Sequence, residues 1–409
     1  MIARLVALVG LTILAQVAVT AAARDLAAER QEAYQQIQAG RVREGASSLL
    51  TSLREWPNET AAIDEAVATS YLLEFTLEYL MDDATRRAFV DEVMKAEQEP
   101  ADDLILTALY LNLDTGLSEK EFSAVSQKLH VLTNSSTPWV RALSLALMAS
   151  PYYYRDGNLA KNARGELMKQ YPDLELTRAV LRGPLYIARK KLASEPAAVS
   201  TAMGADTLLA ARKNDPVAIA VSTTVDRLQT EKTDEGLLTL TDTAKNAPDA
   251  HTRFGCLYML EAFVATPRKA EVKDTASALT ASSQETADAT YARIQLLRIA
   301  AEDNDAPQAR HWCEALLEQK ELGTAYTRNL YEDLLKDVSK GAEFLIRAGD
   351  KEGAAAVLEK LAAKFPNSVV ATQASERVNQ LRLAEKSAVE ASRDDESSKP
   401  EGAAPKPEQ

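Results

Sequence analysis

Residues Arg347 to Leu383 read RAGDKEGAAAVLEKLAAKFPNSVVATQASERVNQLRL. Ala348-Gly349-Asp350 closes one helix, and Glu352 to Lys364 forms the next, with Ala354, Leu358 and Leu361 recurring on one face. Phe365-Pro366-Asn367 ends that helix, because Pro lacks a donor and restricts the residue before it. Val369 to Leu383 begins a further helix. The stretch is a helix, a turn, a helix, a stop and a helix.

The same grammar lies near the other end of the chain. Glu44-Gly45-Ala46, Leu49-Leu50 and Leu53 repeat the spacing of Glu352-Gly353-Ala354, Val357-Leu358 and Leu361. Both copies run into an aromatic residue, Pro and Asn, at Trp56-Pro57-Asn58 and Phe365-Pro366-Asn367. Weaker copies occupy Gly157–Asp173, Gly236–Asp249 and Asp305–Glu321. Anchored on Ala46, Ala160, Gly236, Ala309 and Ala354, the intervals fit whole multiples of a unit of about 36–45 residues. Apolar segments between the copies supply the missing units, from Thr60–Leu80 with Ala84–Ala96 to Ala250–Ala265 with Lys269–Ala281. Asp305 before Pro307, Asp215-Pro216 and Thr137-Pro138 mark helix starts. The expectation is an all-α, right-handed solenoid of about nine antiparallel helix pairs and a final helix.

Composition agrees. Of 409 residues 46% are hydrophobic, enough for a large core, while Gly and Pro number only 15 each, too few for an all-β chain of this length. The net charge of −13 argues against general binding to nucleic acid or anionic lipid. Arg182, Arg189, Lys190 and Lys191 form the one local basic cluster and read as a solvated helix face.

Residues 1–23 have Arg4, an apolar run from Leu5 to Val19 and a small-residue end at Ala21-Ala22-Ala23, the layout of a cleaved secretory signal peptide. The alternative is an anchor spanning the inner membrane with residues 5–23. Residues 24–391 form the repeat domain, and the Pro-, Ser- and acid-rich 392–409 is expected to be a disordered tail.

The spacing Ala354, Leu358, Leu361, Pro366 resembles the second helix of the tetratricopeptide repeat, and Ala46, Leu50 and Leu53 match it too. A HEAT-like solenoid is the second reading, on Thr137-Pro138-Trp139-Val140-Arg141 and the Pro248-to-Arg253 stretch. The tetratricopeptide resemblance implies a bacterial envelope protein, exported to the periplasm or beyond, that binds a protein or peptide in its concave groove. The other classes are an α-helical enzyme acting on an envelope polysaccharide and a membrane-anchored assembly factor.

Motifs for chemistry are sparse. His251 with Cys256 and His311 with Cys313 are zinc-ligand types, but residues two apart on a helix point to different sides. Cys313 is expected in the core and His311 at the surface. A Cys256–Cys313 disulfide fits an exported chain but joins helices that are not direct neighbours in a regular array. Asp303-Asn304-Asp305 lacks the Gly and distal Glu of a calcium loop and reads as a helix cap. Glu74 and Glu78 read as surface carboxylates of an acidic helix. No enzyme activity, metal or cofactor is expected. Tyr152-Tyr153-Tyr154, at a turn between helices, is the candidate partner-binding patch.

Overall fold

The computed structural model describes residues 25–56, 59–95, 99–101, 103–105, 107, 119–149, 157–205, 215–230, 237–281, 286–319 and 329–397. These residues are all-helical, with no strand among them. The principal helices are α1 Leu26–Gln38, α2 Val42–Arg54, α3 Ile63–Phe75, α4 Asp83–Lys95, α5 Glu119–Leu132 and α6 Pro138–Ala149. There follow α7 Gly157–Gln170, α8 Glu175–Ala188, α9 Pro196–Ala205, α10 Pro216–Gln229, α11 Leu238–Asn246 and α12 Ala250–Leu260. The last are α13 Lys269–Thr280, α14 Ala287–Glu302, α15 Ala306–Glu318, α16 Asn329–Arg347, α17 Lys351–Lys364 and α18 Val369–Ser397.

One turn joins helices at three places. Gly40, Asn304 and Gly349 take left-handed backbones (φ +79°, +59° and +88°), and the next N–H reaches back to the preceding helix. Those bonds, Arg41 to Gln36, Asp305 to Ala300 and Asp350 to Leu345, are each 2.9 Å. They satisfy carbonyls that a helix end leaves free. Asp305 and Asp350 then cap the helices that follow, accepting from Gln308 N–H at 3.1 Å and Gly353 N–H at 2.8 Å. Asp215 caps α10 in the same way.

Packing has a short period. From α10 to α17 each helix touches the next, and α12 with α14, α14 with α16 and α15 with α17 also meet. Inter-helix ion pairs include spans of 25 residues for Lys128–Asp103 and 72 for Arg189–Glu261, and six others fall close together: 35 residues for Arg30–Glu65, 33 for Arg182–Asp215 and 35 for Arg253–Asp288. Lys269–Asp303, Arg377–Glu343 and Arg298–Asp337 follow at 34, 34 and 39.

The core runs along α3, α6 and α14, which are buried nearly all round: Trp139, Val140 and every residue from Ala142 to Ala149 are buried in α6 alone. Glu74 is in this set at 2% exposure, so the expectation of a surface carboxylate fails there. It fails because α3 is enclosed by α1, α2, α6, α8 and α16. Asp64, on α3, accepts from the first N–H groups of α8, at 3.0 Å from Glu175 and 3.1 Å from Leu176, a cap supplied from 111 residues away.

The chain also returns on itself. Phe75 meets Tyr331 and Phe365 with ring centroids 5.3 and 6.2 Å apart. Asn367 Nδ2 donates to the Gly40 carbonyl at 3.3 Å, and α18 packs on the π-helical turn Thr76–Leu80 that extends α3. The two best copies of the sequence pattern therefore touch each other. Helix α18 runs through Ser397, past the expected onset of the tail at 392; residues 398–409 lie outside the described residues, as do 1–24. Among the described residues no helix is long and apolar enough to cross a membrane.

Candidate binding cleft

Three helices present polar and aromatic side chains at helical spacing toward one another. They are Phe254, Tyr258 and Glu261 from α12 and its short extension, Tyr291, Gln295 and Arg298 from α14, and Asp333 and Asp337 from α16. The rings form a continuous cluster, with Phe254–Tyr291 at 5.1 Å and Tyr258–Tyr291 at 5.3 Å. Arg189 lies over Tyr258, 4.2 Å from the ring centroid, where the negative π-face attracts the guanidinium.

Glu261 gathers this cluster. Its Oε2 accepts from Tyr291 Oη at 2.6 Å and Arg189 Nε at 3.1 Å, and its Oε1 lies 3.4 Å from Arg298 Nη1. Burial alone would raise its pKa. The Tyr291 hydrogen bond and the Arg189 and Arg298 charges outweigh that and hold it below the usual carboxylate range. Arg298 forks onto Asp337, with Nε–Oδ1 at 3.1 Å and Nη2–Oδ2 at 2.7 Å. Burial pushes Asp333 up to about 6, against the pull of Arg298 and with the nearby Asp337 and Glu261 charges adding to the rise.

Beside this cluster opens a cleft of about 420 Å³ between the end of α12, α14 and α16. Gln295, Arg298 and Ala301 line it from α14, and Lys340, Gly341, Phe344 and Arg347 line it from α16. Gly341 is required by the close approach: a Cβ there would lie 2.5 Å from Cys313 Sγ and 3.2 Å from Leu297 Cδ1. Gln295 is fully buried, yet neither its Oε1 nor its Nε2 has a hydrogen-bond partner. Glu302, Lys340 and Arg347, one acid and two cations, are exposed and line the cleft.

A second polar node is structural. Arg182, 2% exposed, bridges Asp215 (Nη2–Oδ2 3.0 Å) and Glu175 (Nη1–Oε1 3.3 Å). Asp215 meanwhile caps α10 through Val217 and Ala218 N–H, each at 3.0 Å, so one guanidinium pins the N-termini of α8 and α10. Burial pushes Glu175 up to about 7 despite Arg182 and Arg178. His251 Nδ1 sits 3.5 Å from Glu175 Oε1, and burial, outweighing the opposing charge of Asp249, holds its pKa down at about 4.

The basic cluster expected to be a solvated face therefore divides. Arg182 is buried and Arg189 is partly buried on Tyr258, while Lys190 and Lys191 are exposed. The reason is that acids 33 and 72 residues downstream reach the two arginines, a relation local patterning does not contain. Tyr152, Tyr153 and Tyr154 lie outside the described residues. Cys256 and Cys313 are both free and fully buried, and burial pushes each thiol up to about 12. His311 is exposed and packs edge-on against Trp312 at 4.6 Å. Among the described residues no three His, Cys, Asp or Glu side chains group as metal ligands.

Sequence reading missed Gln295 and its neighbours altogether. The signal for the frame was present, since Arg182, Arg253 and Arg298 each have an Asp 33 to 39 residues on. For Gln295 there was none. No family model, curated protein or solved structure matches the chain.

Proposed function

We propose that this chain is an exported helical-repeat scaffold that holds a protein or peptide segment in the cleft between α12, α14 and α16. The observation that carries the reading is a cleft whose walls are fixed before any ligand arrives. Its arginine and its central carboxylate are already bonded to each other and to neighbouring rings, so binding need not order them. The repeated left-handed turn, the packing of each helix on the next but one and the ion pairs 33–39 residues apart support a right-handed solenoid of helix pairs. The N-terminal pattern of Arg4, Leu5–Val19 and Ala21-Ala22-Ala23 supports export to the envelope.

An array of short synthetic peptides of randomised sequence tests the binding role. The purified chain should retain a reproducible subset at micromolar affinity, and retention of none would contradict it.

A second reading, as a polysaccharide hydrolase, draws on one observation: Glu261 is held ionised while Asp333 is pushed up to about 6, the kind of split an acid–base pair requires. Against it, both oxygens of Glu261 are engaged by Tyr291, Arg189 and Arg298. Release of reducing ends from envelope polysaccharide by the wild type, but not by Asp333→Asn, would favour the hydrolase.

A further inference from the structure

We draw no further inference here: the strongest candidate, the half-buried carboxyl of Asp333 on α16 among the charges of Arg189, Glu261, Arg298 and Asp337, belongs to the cluster already described beside the cleft, and nothing in the structure points to a ligand for it.

Discussion

At the scale of single residues, buried charge is the feature that mutations will expose most sharply. Arg182 neutralises Glu175 and Asp215 in a place water does not reach. Arg182→Met leaves those acids without their cation and should cost about 3–5 kcal/mol, read as a shift in urea midpoint; a loss under about 1 kcal/mol would contradict the bridging role. The neighbouring pair gives a pH signature. Folding raises Glu175 from 4.5 to about 7, so between those values the folded chain holds a proton that the unfolded chain releases. Its contribution is present below pH 4.5 and is lost as pH rises to about 7. His251 is lowered from 6.5 to about 4, and its contribution runs the other way, lost as pH falls through that window. The two oppose each other where the windows overlap. In His251→Gln only the Glu175 contribution remains, so stability should fall from about pH 5 to about pH 7 by up to about 2 kcal/mol more than in the wild type. An identical pH profile for variant and wild type would refute this assignment. The thiols give a simpler readout: neither Cys256 nor Cys313 should react with a thiol reagent until the chain unfolds, and then both should.

At the scale of elements, the turns show how far local chemistry reaches. The stop at Ala348-Gly349-Asp350 was legible because glycine and a capping Asp carry their own conformational preferences. The contact that Asn367 makes with Gly40 was not, since nothing local links positions 327 residues apart. Gly40→Ala and Gly349→Ala separate the two effects. Both force an L side chain into a left-handed backbone, at about 1–2 kcal/mol each. A Cβ at Gly349 meets nothing within 4 Å, whereas at Gly40 it would lie 2.6 Å from Asn367 Nδ2. Gly40→Ala should therefore be the worse of the two, and Asn367→Gly should recover the difference; equal costs would argue against the contact. Helix α18 can be judged similarly. It buries Ala374, Val378 and Leu381, bonds Glu343 through Arg377 and covers Thr76–Leu80. A chain ending at 366 should melt well below the full chain, and one ending at 397 should melt with it. Coincident melting curves for all three would remove any stabilising role for α18.

At the scale of the whole molecule, helices and their order were readable from periodicity, caps and stops, because each depends on residues within a turn or two. The site was not. Gln295 looks in sequence like any polar residue on an amphipathic helix, and only the packing of α12 and α16 around it shows that it is buried without a partner. Likewise the meeting of Phe75, Tyr331 and Phe365, which joins early and late helices, depends on how the whole array curves. We propose that the cleft between α12, α14 and α16 receives a protein or peptide partner. A photo-crosslinking amino acid at Ala301, within the cleft, tests it directly in native cells, with the same group at the exposed Leu383 on α18 as control. A discrete covalent adduct is expected from position 301 and none from position 383. Equal labelling from both positions, or no adduct from 301, would contradict it.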